Sequence, residues 1–294
     1  MKKTLFTLAA VLLLCPSCDR VRQYLGKLKD TDTTKEVTAQ EEQQRKDALQ
    51  FIHLSYCSAD SMVSISADVP QTVDTPLADS IMEYVGEQFE AFTTIYSENH
   101  DARQAFQYTG EGIHAQMQAE IAEQKAELAT EDPAELEEME WMFHWTTENN
   151  LIMEYDCPRY VTFVNQGDNY TGGAHGFHWL TGTTFDKQTG RRIGKEILKN
   201  TDSEMFRMMF QRELLDYFRD MGGQDAAEST LSDYLLIDVD DLEISNMRIT
   251  DRNFVFQYQP YEISYYAAGM PVVVLSFQKM KPYLTAEGLR LISE

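Results

Sequence analysis

The chain has 294 residues and a formal net charge of −23, because 48 acidic residues outweigh 25 lysines and arginines. This acidic excess argues against a basic surface for nucleic acid or anionic lipid. It is compatible with a cationic partner, but most of the charge is expected only to keep the protein soluble, because the acidic residues are spread along the chain. The length suffices for one large domain or two small ones with a real core. We expect no cofactor, because the sequence carries no motif that would hold one.

The N-terminus has the pattern of an export signal. Met1-Lys2-Lys3 is basic, and the apolar stretch over residues 5–14 is shorter than the roughly 20 residues that span a bilayer. Leu14-Cys15-Pro16-Ser17-Cys18 resembles a bacterial lipobox, which predicts a signal peptide over residues 1–17 and a lipid on Cys18. The alternative is an ordinary secretory signal that leaves Cys18 as a thiol. We therefore expect an exported, lipid-anchored protein of the bacterial cell envelope, on its periplasmic or cell-surface face.

Residues 18–45 are polar and predict a tether. The region 46–150 then begins with alternating, strand-like segments and continues with apolar residues at helical spacing. Its predicted elements are strands over 51–56 and 62–67 and amphipathic helices over 77–97 and 102–128. Trp141 and Trp145 are expected to be core residues.

The region 151–294 contains most of the predicted strands. Its predicted elements are strands over 151–155, 160–164, 175–185, 242–245, 253–258 and 272–276, a turn over 166–169, a hairpin loop over 186–190, and helices over 205–218 and 281–292. Strands and helices come in blocks and do not alternate strictly. This order predicts an α+β fold, with a mostly antiparallel sheet and packed amphipathic helices.

A glycine-rich block over 169–193 is the most distinctive part of the sequence. Its Tyr170-Thr171-Gly172-Gly173-Ala174-His175 pattern, with the later segments 260–263 and 266–269, resembles the DUF3298 family over about 150–285. The region 46–150 resembles a DUF4163 region in the order of its elements. The family includes RsiV-like extracellular domains that bind lysozyme. The resemblance implies a fold and an extracellular location, and it supplies no catalytic set.

The two family segments have a structural and a functional interpretation. In the structural interpretation, the glycines form a turn that changes the direction of a strand, and Tyr170 packs beside this turn. Functionally, the two segments are halves of one binding surface. The predicted binding residues are Tyr170, Gly172, Gly173, His175, Phe177, Trp179, Tyr261, Glu262, Tyr265 and Tyr266. The alternative for Glu262 is a buried, hydrogen-bonding acid.

His175 and His178 are the only histidines in this block. Three residues apart on a strand, their rings would point to opposite faces, and no third ligand is evident, so we predict no metal site. His175 would serve as a general base only with a positioned partner, which the sequence does not identify. We therefore name no catalytic residue.

Cys57 and Cys157 form an even pair once Cys18 is acylated. In an oxidising compartment they either form a disulfide or remain free thiols.

The function that fits these features best is a non-enzymatic, lipid-anchored binding protein of the cell envelope. Its ligand is expected to be a cationic protein such as lysozyme, or a cell-wall glycan fragment. One alternative is a hydrolase or deacetylase that acts on peptidoglycan around His175. Another is a structural envelope lipoprotein.

Overall fold

The computed structural model describes residues 49–131, 139–222 and 228–293. The predicted signal peptide over 1–17, the tether over 18–45 and the lipidation site Cys18 lie outside these residues. In the described part, the strands are β1 Phe51–Cys57, β2 Val63–Pro70, β3 Thr146–Asp156, β4 Tyr160–Tyr170, β5 Phe177–Asp186, β6 Arg192–Ile193, β7 Asn246–Ile249, β8 Asn253–Gln257 and β9 Val272–Ser276. The α-helices are α1 Pro76–Gln88, α2 Glu90–Asn99, α3 Ala102–Glu131, α4 Glu204–Gly222, α5 Phe277–Met280 and α6 Ala286–Ile292.

The strands form two sheets. The larger sheet has the order β1-β2-β3-β4-β5-β6, and the smaller has the order β7-β8-β9. All neighbouring strands are antiparallel except β2 and β3. That pair is parallel because α1, α2 and α3 form a crossover, which carries the chain from the end of β2 back to the end of the sheet where β2 begins. The predicted α+β fold with a mostly antiparallel sheet is confirmed.

Helices α1 to α3 cover one face of the larger sheet. Helix α1 begins at Pro76, which needs no N–H partner there, and the Thr75 hydroxyl accepts a hydrogen bond from the backbone N–H of Ala78. The apolar face of the helices then packs on the inward-facing residues of the strands. This core contains Val63, Ile65, Ala67, Ile81, Val85, Phe92, Phe106, Leu151, Phe163 and Phe185.

The smaller sheet packs on the opposite face of the larger one. The Thr162 hydroxyl donates to the Ile249 carbonyl at 2.6 Å, and the Ile249 N–H donates to the Thr184 hydroxyl at 2.9 Å. Helix α4 covers the outer side of the smaller sheet, where the rings of Phe210 and Phe256 lie 5.3 Å apart in an edge-to-face arrangement. The layers are therefore helices, large sheet, small sheet and helix.

Strand β6 pairs only with Thr184 and Phe185 of β5. Along the rest of this edge, two side-chain amides form hydrogen bonds with the backbone of β5. The Gln259 amide accepts from the Leu180 N–H and donates to the Leu180 carbonyl, at 3.1 and 2.8 Å. The Asn246 amide does the same for Gly182, at 2.6 and 3.1 Å. These amides satisfy backbone groups that an additional strand would otherwise pair.

Arg248 lies buried between the two sheets. Its Nε donates to Glu154 at 2.8 Å, and its side chain is only 1% exposed. Gly182 makes the room for this side chain, because a Cβ on Gly182 would lie 2.1 Å from Cδ of Arg248.

Several predicted boundaries are wrong. The helix predicted over 77–97 is two helices separated at Phe89, whose φ of −135° and ψ of 81° are not helical. The turn predicted over 166–169 is part of β4, which continues to Tyr170 against β3 and β5. The strand predicted over 242–245 precedes β7 and is unpaired in the described structure. The helix predicted over 281–292 is a 3₁₀ turn, Lys281–Tyr283, followed by α6.

The disulfide between Cys57 and Cys157 is not formed, and both are free thiols. Cys57 pairs with Ser64, which in turn pairs with Glu148 near the start of β3. Cys157 follows the last residue of β3. At about 3.3 Å per strand residue, the two thiols are roughly 30 Å apart, whereas a disulfide needs Cα atoms within about 7 Å.

Trp145 is buried, as predicted, but Trp141 is 54% exposed and is not a core residue. Trp141 lies in a 3₁₀ turn, Glu140–Phe143, whose inward-facing residue is Phe143.

Among the described residues, no helix is both long and apolar enough to cross a membrane.

Candidate functional site

Two loops from distant parts of the sequence meet beside the start of β5. One connects β4 and β5 over residues 171–176, and the other connects β8 and β9 over residues 258–271. The Tyr266 hydroxyl donates to the Gly176 carbonyl at 2.7 Å, and the His175 ring stacks on the Tyr266 ring with centroids 4.0 Å apart. The two segments predicted to form one binding surface are therefore in direct contact.

Tyr261 completes this contact from the same loop as Tyr266. Its ring centroid lies 5.5 Å from that of Tyr266, and its hydroxyl is 3.5 Å from Nε2 of His175. His178 stacks on the same Tyr266 ring at 5.8 Å. We call His175, His178, Tyr261 and Tyr266 the His/Tyr cluster.

Tyr261 is the most exposed tyrosine of the cluster, with 55% of its surface accessible. Its φ of 65° lies in the left-handed region, which is uncommon for a bulky residue and is held only where surrounding contacts fix the backbone. The neighbouring Tyr265 is 45% exposed. The cluster therefore offers flat aromatic surface to solvent from a fixed backbone.

Glu262 fixes the conformation of the loop. Its carboxylate accepts from the Gln259 N–H at 2.7 Å and from the Ser245 hydroxyl. Because Glu262 is itself exposed, the alternative of a buried acid is wrong, although the hydrogen-bonding role is present. On the other side of the loop, the Leu236 N–H donates to the Ile263 carbonyl at 2.9 Å.

The glycines of the β4–β5 loop form the expected turn. Gly172 and Gly173 both have a φ of 91°, which residues with a side chain rarely adopt. The Tyr170 hydroxyl donates to the Gly173 carbonyl at 3.1 Å and ties the turn to the end of β4. The structural interpretation of these glycines is therefore correct, and the turn also directs His175 toward Tyr266.

The two histidines do not point to opposite faces as predicted. His175 precedes β5, which begins at Phe177, so strand alternation does not apply to it, and both rings reach Tyr266. His178 pairs across the sheet with Asp168. Burial raises the pKa of the Asp168 carboxyl, and the nearby His178 offsets part of this effect. Within residues 49–131, 139–222 and 228–293, no three His, Cys, Asp or Glu side chains are grouped to hold a metal.

Phe177 and Trp179 are not part of the cluster. They alternate with His178 along β5, so their side chains leave the opposite face of the strand. The Trp179 ring lies over Gly167, where a Cβ would be 2.4 Å from Cζ2 of the ring. Phe177 is 45% exposed on that other face.

A groove with a volume of about 580 Å³ adjoins the cluster at Glu262. One wall is formed by Gly182 and Thr183 of β5 with residues 192–196, and the other by residues 243–247. The second wall is held by Tyr258, whose hydroxyl donates to the Glu243 carbonyl at 2.6 Å. Burial raises the pKa of this Tyr258 hydroxyl, which therefore remains a donor.

Charged groups of both signs line the groove. Arg192 is engaged, because its guanidinium makes two hydrogen bonds of 2.7 Å to Glu87. Lys195 and Glu243 are exposed on opposite walls. In the part of the chain that the structure describes, neither forms an ion pair within 4.0 Å. Their charges are therefore available to a ligand.

Sequence reasoning missed the groove altogether. Its walls come from segments about 50 residues apart, and an exposed Lys195 or Glu243 carries no signal in a chain with 48 acidic residues. The one available signal is Gly182, because a glycine inside a strand often marks the close approach of another group.

The fold and these contacts define an α+β protein with two stacked sheets and an aromatic surface where their loops meet. Residues 194–278 match the model of the DUF3298 family, which is described as a protein of unknown function. The matched segment contains α4, the smaller sheet and the Tyr261–Tyr266 half of the cluster. It begins after the Tyr170–His175 motif that had suggested the family.

Two crystal structures of DUF3298 family proteins are similar to this chain, and the first of them shares its fold. The protein from Bacteroides fragilis NCTC 9343 has a TM-score of 0.65 and 16% sequence identity, over 83% of this chain and 96% of that one. The protein from Pseudomonas aeruginosa PAO1 has a TM-score of 0.48 and 16% identity, over 82% and 96%. No curated protein matches this sequence.

Proposed function

We propose that this chain is a non-enzymatic binding protein of the bacterial cell envelope, anchored by a lipid on Cys18. Its His/Tyr cluster binds the sugar rings of a cell-wall glycan fragment. The observation that carries the proposal is the exposed Tyr261 ring, which lies beside the rings of Tyr266 and His175 at the junction of two loops.

Tyrosines suit this ligand because one face of a pyranose ring presents C–H groups that pack on an aromatic ring. The phenol hydroxyl then remains free to hydrogen-bond with the sugar's own hydroxyls. Tyr261 of the cluster and its neighbour Tyr265 are about half exposed. The bonds that Glu262 makes hold the loop in place before a ligand arrives, which lowers the entropic cost of binding.

The hydrolase or deacetylase alternative is less well supported. His175 stacks on Tyr266, its Nδ1 faces the Gly176 carbonyl at 2.9 Å, and its Nε2 faces the Tyr261 hydroxyl at 3.5 Å. A general base needs a positioned nucleophile or water and an orienting partner. The Tyr261 hydroxyl, at 3.5 Å, lies beyond the roughly 2.6–3.2 Å of a hydrogen-bonded nucleophile–base pair, and the backbone carbonyl is no nucleophile.

A cationic protein such as lysozyme is the second candidate ligand. The net charge of −23 favours it, because an acidic surface attracts a basic partner at long range. Such binding would weaken steeply as salt rises.

Titration calorimetry on the full chain tests the proposal with two probes. The first is the disaccharide of N-acetylglucosamine and N-acetylmuramic acid, and the second is a cationic lysozyme. We expect the disaccharide to bind, with little dependence on salt because the contact is largely apolar. Binding of lysozyme alone, lost at high salt, would replace the glycan by the second candidate. Release of new reducing ends from longer glycans would contradict a non-enzymatic role.

A further inference from the structure

The groove beside the His/Tyr cluster has the dimensions and charges of a second half of the binding site. Its volume of about 580 Å³ is within the range of roughly 300–1,000 Å³ typical of ligand sites. It shares Glu262 with the loop that carries Tyr261. A ligand that lies on the cluster and extends past Glu262 would enter the groove.

The charges in the groove indicate what kind of group enters it. Lys195 on one wall can pair with a carboxylate, and Glu243 on the other can pair with an amine. These two side chains line one groove and yet, among the described residues, form no ion pair with each other or with another residue. A purely cationic or purely anionic ligand would leave one of them facing a like charge.

The walls also present polar groups between these charges. The Asn246 amide binds Gly182 through its oxygen and one N–H group, so it is fixed in place at the groove. The Ser245 hydroxyl is likewise held by Glu262. Glu196 uses its carboxylate to accept from the Gly194 N–H. Lys195 and Glu243 are the charged groove residues whose side chains form no hydrogen bond or ion pair in the described part of the chain.

We infer that the groove binds a short peptide with both carboxylate and amino groups, covalently attached to the sugar on the cluster. The ligand of the whole site is then a glycan fragment that carries its peptide stem. This inference rests on the proposed function of the His/Tyr cluster. It assigns Lys195 to a peptide carboxylate and Glu243 to a peptide amine.

Three probes test the inference by calorimetry on the full chain: the disaccharide, the disaccharide with a tetrapeptide that carries free carboxylates and one side-chain amine, and that tetrapeptide alone. We expect the disaccharide–peptide to bind at least about fivefold more tightly than the disaccharide, the effect of one well-placed charge pair. Lys195→Gln and Glu243→Gln should each remove much of this gain and leave disaccharide binding unchanged.

Lys199→Gln and Glu228→Gln are the matched controls, since both are exposed charges outside the groove. They should keep the full gain. Equal binding of disaccharide and disaccharide–peptide, or a gain that survives both groove substitutions, would overturn the inference and leave the proposed function standing. If the tetrapeptide alone binds through Lys195 and Glu243 while the disaccharide does not, the groove is supported and the cluster's role fails. If no probe binds, both fail.

Discussion

Gly182 lies directly against the buried side chain of Arg248, and its missing side chain is what admits the guanidinium between the sheets. A Cβ there would be 2.1 Å from Cδ of Arg248. We expect Gly182→Ala to lower the free energy of unfolding by about 1–3 kcal/mol, the usual cost of overpacking a well-packed interior. Urea denaturation of the purified protein measures this change.

Gly112 supplies the matched control, because no atom lies within 4 Å of a Cβ placed on it. Gly112 lies in the middle of α3, where alanine is favoured over glycine by roughly 0.5–1 kcal/mol. Gly112→Ala should therefore stabilise the protein. If both substitutions changed stability alike, the contact between Gly182 and Arg248 would not be what requires the glycine.

The pKa of the Asp186 carboxyl predicts how the free energy of unfolding changes as the pH falls. Burial alone would raise the pKa of its carboxyl, but hydrogen bonds from Arg290, Thr189 and the Gln188 N–H outweigh burial and hold the pKa below its usual 3.8. As the pH falls, the unfolded chain takes up the proton first. The stability that Asp186 contributes is therefore complete above about pH 4, and is lost as the pH falls from there through the folded pKa.

The measurement is the free energy of unfolding between neutral and acidic pH for the wild type and Asp186→Asn. The variant should be less stable at neutral pH, and the difference should shrink below about pH 4. Asp74→Asn, at an exposed carboxylate, is the control. A difference that stays constant down to low pH would show that Asp186 acts by packing and not by charge.

The backbone conformation of some residues could be predicted from the sequence, and that of others could not. The left-handed φ of Gly172 and Gly173 could be predicted, because glycine pairs have few other uses in a turn. The left-handed φ of Tyr261 could not, because only contacts from Glu262 and the neighbouring loop impose it on a bulky residue. Lys195 and Glu243 could not be predicted as groove residues for the same reason, because only long-range contacts bring their segments together.

At Gly182, the edge of β5 forms hydrogen bonds with a side chain and not with another strand. Asn246→Ala would leave the N–H and the carbonyl of Gly182 without their amide partner. We expect a loss of about 1–3 kcal/mol in the free energy of unfolding, the cost of unsatisfied buried polar groups. Chemical denaturation measures it, and Gln278→Ala, at an exposed amide of α5, should stay within about 0.5 kcal/mol of wild type. A wild-type result for Asn246→Ala would mean that water replaces the amide.

Local periodicity correctly predicted most helices and strands. It did not predict the residues at which they begin and end. Apolar residues continue at helical spacing through Phe89, so the sequence predicts one helix where the buried Phe89 separates α1 from α2. Polar residues at 166–169 resemble a turn, yet they pair on both sides as the outer end of β4. In both cases tertiary packing overrides the local signal.

The site as a whole depends on how the sheets are stacked. Tyr266 and His175 are far apart in sequence and meet only because the smaller sheet packs on the larger one. The sequence identified both segments and suggested that they form one surface, and their contact confirms that proximity. It also assigned Phe177 and Trp179 to that surface, which strand alternation excludes.

The direct test of the account compares Tyr261→Ala with Tyr108→Ala in calorimetry against the disaccharide of N-acetylglucosamine and N-acetylmuramic acid. Tyr108 is a fair control, because it is 47% exposed but lies on α3, across the larger sheet from the cluster. We expect Tyr261→Ala to weaken binding about tenfold, as the loss of an aromatic hot spot does, and Tyr108→Ala to leave it unchanged. Equal affinities for wild type and Tyr261→Ala would contradict the His/Tyr cluster as the binding surface.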